Sequence, residues 1–377
     1  MLELLDYYDK SAAAREKICA TFDARLQELG HAERQPEARA RVGELEHALL
    51  TGAKHFHFDE AGWAHLEGLD AGRFACRSLH QSRKNLKHGG SHRVRLWVLD
   101  GESAITDIGA LQAAAPPRSL FQAASQFNCL ESPGPYLADV AHYFHDPTQG
   151  PRASISAYPG TLLRHYAATG PDSTRFRQGD GRQINLLHRV ALEGVATVRS
   201  GYLQSSNIHD FSGFACLLED HFDEIEVGVH EGVEVVLGAN WDGPVQGRRH
   251  ISQVFTSTLA AGGYGRLDFA DPLNLRIARQ LQRAAYLGTL TAAAALGQAR
   301  AVLTLIGGGV FGNPLELIWE SILWACDEVA GWLSRDLTVI VNGRNLSSLD
   351  TALVRKAAQT RGGEVIYCGR SGARIDV

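Results

Sequence analysis

The sequence predicts an α/β fold in layers, with parallel strands in its second half and a helical extension at its start. Residues 301–306 form an unbroken apolar run, typical of a strand buried on both faces, and three glycines and Asn313-Pro314 follow it. Asn is a good helix N-cap and Pro a favoured first helical residue, so the unit is strand, glycine loop, helix. The chain then alternates, with helices expected at 313–333 and 351–360 and strands at 337–341 and 364–368. This alternation is typical of parallel strands joined by helices.

The elements before this unit follow from hydrophobic periodicity. Residues 1–92 are predicted to be a helical extension or cap, because apolar residues keep a 3.6-residue period over about the first fifty positions. The main domain is predicted at 93–377 and opens with the strand VRLWVLDG. Helices are expected at 183–195 and 273–299, the second apolar enough to be buried on much of its circumference.

Composition narrows the functional class. The 377 residues carry a net charge of −5, with 45% hydrophobic and 21% charged residues, as in ordinary globular proteins. No nucleic-acid partner is expected, because such proteins usually present a basic face. No apolar run reaches transmembrane length, and acids stand near the N-terminus where a signal peptide needs bases, so no membrane partner is expected either. A cytoplasmic location fits this pattern and six cysteines without a C-x-x-C pair.

The glycine loop at 307–312 is the first candidate binding element. A glycine loop before a helix presents bare backbone N–H groups, which favour a phosphate or another anion. The alternative is that the glycines only satisfy backbone dihedral angles or close packing. The loop is not a Walker motif, because no Gly-Lys-Ser/Thr closes it, and it lacks the G-x-G-x-x-G spacing of dinucleotide folds.

Two polar stretches accompany the glycine loop. Residues 119–131 begin as a strand and then set amides, hydroxyls and Glu131 among apolar residues, which suits a ribose or a base. Residues 145–167 open with a turn at Asp146-Pro147 and continue with small residues that allow close backbone approach. Capping and backbone hydrogen bonding at a strand end explain part of the polar residues at 119–131 equally well, and Asp146 can instead form an Asx turn.

His55 and His57 form a His-x-His pair, but no further ligands accompany them, so no metal is expected.

Taken together, QFNCLE, DPTQGP and LIGGGVFGN resemble the macrodomain family, α/β/α modules that bind ADP-ribose. Residues 122–125, QAAS, stand where that family has an Asn-Ala-Ala-Asn-type stretch beside the distal ribose. The 307–312 loop with Phe311 is similar to the family's diphosphate loop. The set looks most like a divergent branch that includes bacterial effector enzymes, which remove ADP-ribose from arginine, including that of ubiquitin. If the chain is such an effector, the resemblance implies delivery to a host cytosol. Over residues 95–377 the resemblance implies a three-layer α/β/α sandwich with a mixed sheet.

The resemblance implies a hydrolase that cleaves the N-glycosidic bond to ADP-ribose without a cofactor. This reaction needs a positioned water, a carboxylate and stabilised phosphates. The catalytic candidates are Glu131, Asp146, Asp268 and Asp271; the last two could instead hold an arginine leaving group, and Asp271 has helix capping as its alternative. The substrate-binding candidates are Gln122, Asn128, Thr148, Gln149, Gly150, Asn185, Ser257, Gly307, Gly308, Gly309, Val310, Phe311, Gly312 and Asn313.

ADP-ribose or an ADP-ribosylated protein is therefore the expected partner. Two other functions stay open. One is a non-catalytic reader of ADP-ribose, which needs hydrogen-bond donors but no carboxylate at the ribose. The other is an unrelated α/β enzyme acting on a different nucleotide or phosphorylated metabolite, because a fold alone does not fix a function.

Overall fold

The computed structural model describes residues 1–29, 36–84, 86–89, 92–101, 107–170, 173–190, 192–238, 245–343, 346–369 and 371–376. The helices in these ranges are α1 Ala12–Leu29, α2 Pro36–Leu50, α3 Leu79–Arg83, α4 Ile108–Ala113, α5 Gln149–Ser156, α6 Tyr158–Tyr166, α7 Phe211–Asp220, α8 Pro272–Ala295, α9 Leu315–Ala330 and α10 Thr351–Thr360. The strands are β1 His57–Phe58, β2 Ala64–Leu66, β3 Leu69–Ser78, β4 Val94–Asp100, β5 Ser119–Ala124, β6 Ala168–Thr169, β7 Arg175–Phe176, β8 Glu226–Val235, β9 Arg249–Thr256, β10 Arg300–Thr304, β11 Leu337–Gly343, β12 Val365–Gly369 and β13 Gly372–Arg374. Short 3₁₀ helices include Leu2–Leu5, Val140–His145 and His188–Val190.

One large mixed sheet organises the described part of the chain. Its strand order is β1-β2-β3-β8-β9-β5-β10-β11-β4-β12-β13. The central strands from β9 to β12 pair in parallel, whereas the outer strands pair antiparallel. The prediction of parallel strands in the second half is therefore confirmed.

Helices cover both faces of this sheet. Helix α8 packs on β8, β9 and β10 and contacts α3, α7 and α9, which forms one layer. Helices α5 and α6 contact each other and pack on β5, β3 and β8, with α4 and α2 beside them, which forms the other. With both faces covered, β10 is buried along its whole length, as its apolar sequence predicts. The three-layer α/β/α sandwich with a mixed sheet is confirmed.

The N-terminal segment is docked onto this sandwich. The Trp97 indole donates to the Leu5 carbonyl at 3.2 Å, and the Tyr8 hydroxyl donates to Glu364 at 3.0 Å. Helices α1 and α2 lie where the sequence predicts helices. The same segment also supplies β1 to β3, and β3 continues the main sheet by pairing with β8. The division into domains at residues 92 and 93 stays a prediction.

The helix predicted at 183–195 is wrong for the described residues, which exclude residue 191. Only His188–Val190 forms a single 3₁₀ turn there. The Asn185 carboxamide accepts the Leu187 N–H at 3.0 Å, and the Leu186 N–H donates to the Phe127 carbonyl at 2.9 Å. These bonds take the backbone out of helical pairing, while the apolar side chains are buried by tertiary contacts. Separately, no helix in the described ranges has the length and apolarity needed to cross a membrane.

Candidate functional site

A cavity of about 450 Å³ lies at the carboxyl ends of the parallel strands. Ala124 at the end of β5, Thr304 at the end of β10 and Asn342 near the end of β11 line it, as does Thr258 just past β9. Open parallel sheets characteristically bind ligands at this edge. The volume falls in the range of small-molecule sites.

The glycine loop forms one wall of the cavity. Gly307 has φ +74°, and a Cβ there would lie 2.5 Å from the Thr258 side chain, so this position requires glycine. Among the described residues, the backbone N–H groups of Gly307, Gly309, Val310 and Phe311 have no hydrogen-bond partner. The wall therefore offers several bare donors to an anion.

The start of α5 forms a second wall. Thr148, its N-cap residue, makes no side-chain cap, and within the described ranges the N–H groups of Gln149 and Gly150 are unpaired. A Cβ on Gly150 would lie 2.2 Å from the Ala124 carbonyl oxygen and 3.2 Å from Cγ of Glu131. The helix start is therefore packed directly over β5 and Glu131, with its donors and its positive dipole end at the cavity.

Three aromatic rings line a further part of the cavity. The ring centroids of Tyr202 and Tyr264 are 5.2 Å apart, and each lies 5.7 Å from that of Phe311. The Tyr202 hydroxyl donates to the Ser132 carbonyl at 2.7 Å, and the Tyr264 hydroxyl to the Pro133 carbonyl at 2.8 Å. Anchored rings of this kind suit a flat, partly polar group such as a base or a sugar.

Glu131 is the buried carboxyl of the cavity, with 2% of its surface exposed. Neither carboxylate oxygen has a hydrogen-bond partner among the described residues. Burial raises the pKa of Glu131 to about 8, the Arg164 charge and the nearby Ser154 hydroxyl oppose this, and Asp146 adds to it. Its backbone N–H donates to the Tyr143 hydroxyl at 2.9 Å, which holds the residue in place. A carboxyl with this pKa carries its proton at pH 7 and can give it up during a reaction.

The structure brings together a large part of the predicted site. The predicted residues that line the cavity are Glu131, Asp146, Thr148, Gln149, Gly150, Gly307, Gly308, Gly309, Val310 and Phe311. Asp146 is half-buried, and its Oδ1 accepts the Thr148 N–H at 2.9 Å, which is the Asx turn named above as its alternative. Their roles in binding and catalysis stay predictions.

Three other candidates have structural roles away from the lining. The Gln122 amide donates to Thr289 on α8 at 2.9 Å and accepts the Thr304 N–H at 3.3 Å. Asn128 accepts the Leu130 N–H at 3.1 Å, within its own loop. Asn313 does not cap α9, which begins at Leu315; its amide donates to the Leu259 carbonyl at 2.8 Å and holds the glycine loop instead.

The remaining candidates also lie outside the lining. Asp271 caps α8 by accepting the Leu273 N–H at 2.9 Å, so the capping alternative is confirmed. Asp268 accepts the Ala270 N–H at 2.8 Å, and both aspartates are exposed. The other non-lining candidates are Asn185, Ser257 and Gly312. The structure therefore leaves Glu131 and Asp146 as the carboxylates of the cavity among those predicted.

Several lining residues were not predicted. They include Tyr202, Tyr264, Thr258 and Thr304. The two tyrosines come from separate loops, and neither was singled out from the sequence as a binding residue. Ser125 and Gln126 also line the cavity, and they were part of the polar stretch after β5.

One group of residues at the other end of β9 has the composition of a metal site. Ligand atoms of Asp70, Glu234 and His250 lie within 4.8 Å of one another. The Arg248 guanidinium already pairs with Asp70 at 3.0 Å and with Glu234 at 2.7 Å, and His65 bonds to Asp70 at 2.8 Å. The side chains of this group therefore form an ion-pair network across four strands. The His55 and His57 pair is not part of this group.

Comparisons with known proteins find similarity to solved structures but not to known sequences. The poly(ADP-ribose) glycohydrolase of Thermomonospora curvata matches with 13% identity and a TM-score of 0.41, over 87% of this chain and 100% of that chain. That of Deinococcus radiodurans in complex with ADP-ribose matches with 13% identity and a TM-score of 0.38, over 76% and 93%. No protein-family model and no curated protein matches the sequence. With TM-scores this low, the likeness says nothing about what the present chain binds or cleaves.

Proposed function

We propose that this chain hydrolyses the glycosidic bond between ADP-ribose and a modified protein. The observation that supports this most is one cavity that combines bare backbone donors with a buried, proton-carrying carboxyl. The donors of the 307–311 loop and of the α5 start suit the diphosphate, and the aromatic residues suit the base or a ribose. The resemblance of these loops to macrodomains directs the choice among phosphate compounds to ADP-ribose.

Glu131 is the proposed acid and base of the reaction. Its proton passes to the leaving atom as the bond from the ribose C1′ to that atom breaks. The carboxylate then takes a proton from a water while the water oxygen bonds to C1′. The neighbouring diphosphate is held by the backbone donors and by the dipole of α5.

An arginine side chain is the proposed attachment point. Guanidinium groups pair naturally with carboxylates, and Asp146 lies half-buried on the cavity wall near Glu131. Ubiquitin is one such protein substrate that the sequence resemblance suggests. Hydrolysis of arginine-linked ADP-ribosyl protein, compared with the same protein modified at serine or glutamate, tests this linkage.

The first experiment is calorimetric titration of the full chain with ADP-ribose. Gly309→Glu is the matched test of the site, because a Cβ there meets nothing within 4 Å and the added carboxylate repels phosphate. Gly181→Glu is its control, since that exposed glycine is equally open and lies outside the cavity. We expect binding to be lost in the first variant and kept in the second.

Hydrolysis assays separate the enzyme from the alternatives. In Glu131→Gln we expect ADP-ribose binding to persist while hydrolysis falls about 10²- to 10⁴-fold, the range typical of general acid–base catalysis. A wild-type chain that binds ADP-ribose but cleaves no ADP-ribosyl protein would be a reader. Failure of the wild type to bind ADP-ribose would overturn both the hydrolase and the reader hypotheses and favour an enzyme for another phosphorylated compound.

A further inference from the structure

Arg164 on α6 is a fully buried arginine next to the cavity residue Glu131. Its guanidinium donates to the Cys129 carbonyl at 3.0 Å, to the Ser154 hydroxyl at 2.9 Å and to the Thr161 hydroxyl at 3.2 Å. Its Cζ also lies 3.5 Å from the ring centroid of Phe255. A planar group held by three acceptors and an aromatic ring has a fixed orientation.

The histidine beside Arg164 is a neutral acceptor. His230 Nε2 lies 2.6 Å from the Ala71 carbonyl oxygen, and its Nδ1 lies 3.3 Å from Arg164 Nη1. Because a carbonyl only accepts, the ring proton is assigned to Nε2, and the Nδ1 lone pair faces the guanidinium. Burial first, and then the Arg164 charge, lower the pKa of His230 to about 3. The ring therefore neither cancels nor competes with the charge of Arg164 near neutral pH.

Once ionised, Glu131 is the ion-pair partner of Arg164 among the described residues. Arg164 Nη2 lies 3.9 Å from Glu131 Oε2, which is within ion-pair range but too long for a hydrogen bond. Both side chains are buried, so little solvent screens their attraction. The other acceptors named for Arg164 are uncharged, and a buried guanidinium gains most from a carboxylate.

We propose that Arg164 is a positioning residue that stabilises the carboxylate of Glu131 when that group has given up its proton. The inference rests on the proposed function, in which one carboxyl first donates a proton to the leaving atom and then takes one from water. Burial alone would make Glu131 a weak acid. The fixed charge at 3.9 Å offsets part of this effect, and the rigid set of acceptors keeps the guanidinium from turning away to other partners.

The test is a titration of Glu131 that needs no substrate. The full chain is labelled with ¹³C at glutamate carboxyls, and the Glu131 signal is identified by its absence in Glu131→Gln. In Arg164→Met we expect the titration midpoint to rise by about one to three pH units, the range for an opposite charge at this distance. Arg164→Lys, which keeps the charge, should restore much of the difference.

Controls make the result specific to the buried charge. Arg177→Met removes an exposed arginine and should leave the midpoint unchanged. If Arg164→Met does not fold, Arg164→Gln replaces it, because glutamine keeps N–H donors for the Ser154 and Thr161 hydroxyls. The Glu131 titration midpoint is expected to rise in this variant as well. A folded, neutral variant with the wild-type midpoint would overturn the inference, because a merely structural arginine does not move the titration of Glu131.

The proposed function can fail separately. A shifted midpoint in a chain that cleaves no ADP-ribosyl protein would overturn the proposed function and uphold the electrostatic role of Arg164. If the chain does hydrolyse its substrate, the upper pH limit of kcat/KM should move with the midpoint in Arg164→Met. Hydrolysis with an unmoved midpoint would refute the role of Arg164 alone.

Discussion

Replacing Glu131 by glutamine should change how stability depends on pH. Burial raises the pKa of Glu131 from an ordinary value of 4.5 to about 8. Between these two values the folded chain keeps a proton that the unfolded chain has released. Each rise in pH therefore favours unfolding, so this contribution to stability is full below pH 4.5 and is lost as pH rises through about 8.

The size of the effect follows from the same two pKa values. One pH unit of difference corresponds to about 1.4 kcal/mol, so the complete loss is about 5 kcal/mol, most of it between pH 5 and 8. An amide has no proton to release in this pH range, which is why the Glu131→Gln chain should lack this loss. We therefore expect its free energy of unfolding to increase relative to wild type by about 3–4 kcal/mol over that interval.

Urea denaturation followed by tryptophan fluorescence at pH 5 to 9 measures this difference. Glu16→Gln is the control, because Glu16 is exposed on α1, and its difference from wild type should not show this rise. A flat difference between Glu131→Gln and wild type across pH 5 to 8.5 would refute the reasoning. It would mean that the carboxyl is solvated and titrates as it does in the unfolded chain.

Four further outcomes are expected. Hydrolysis should fall as pH rises above about 8, because the Glu131 carboxyl whose pKa is raised to that value must carry its proton; a rate that stays constant to pH 10 would contradict this. Asp271→Ala should lower the free energy of unfolding by about 1 kcal/mol through loss of a helix cap, with unchanged hydrolysis. Asn313→Ala should weaken ADP-ribose binding at least about tenfold in calorimetry, since a lost buried hydrogen bond is worth about 1–3 kcal/mol and frees the glycine loop. Gly150→Ala should lower both the melting temperature and the midpoint of the Glu131 titration, because its methyl group forces α5 away from β5 and admits water.

The fold was predictable where the signal is local. The apolar run of β10, the helical period of α8 and the alternation after residue 313 each depend on neighbours in sequence, and each is found in the structure. The segment at 183–195 shows the limit. Its apolar residues recur at helical spacing, but Leu186 bonds across to residue 127, and Glu226 bonds back to Leu186. Hydrogen bonds to residues distant in sequence determine the backbone conformation of this segment, and the local sequence pattern does not indicate them.

The candidate site shows the same limit for polar side chains. Gln122 and Glu131 were both predicted site residues, one for binding and one for catalysis, because each is a polar residue among apolar ones in the stretch 119–131. The Gln122 amide bonds to groups on α8, more than 160 residues away, whereas the Glu131 carboxylate has no hydrogen-bond partner among the described residues. Only the three-dimensional arrangement distinguishes a hydrogen-bonded amide from a buried carboxyl without a hydrogen-bond partner. The sequence did not indicate that Arg164 is buried beside Glu131, because a charged residue on a helix is usually solvated.

Gly150 links the two properties that the proposed reaction needs. The absence of a side chain lets the start of α5 approach within contact of the Ala124 carbonyl and of Glu131. That approach removes Glu131 from water, which holds its proton at neutral pH, and at the same time brings the bare donors of the helix start to the cavity. A larger residue would weaken both effects together. The glycine at position 150 thus explains why a buried acid and a helix end with bare backbone donors occur in one place.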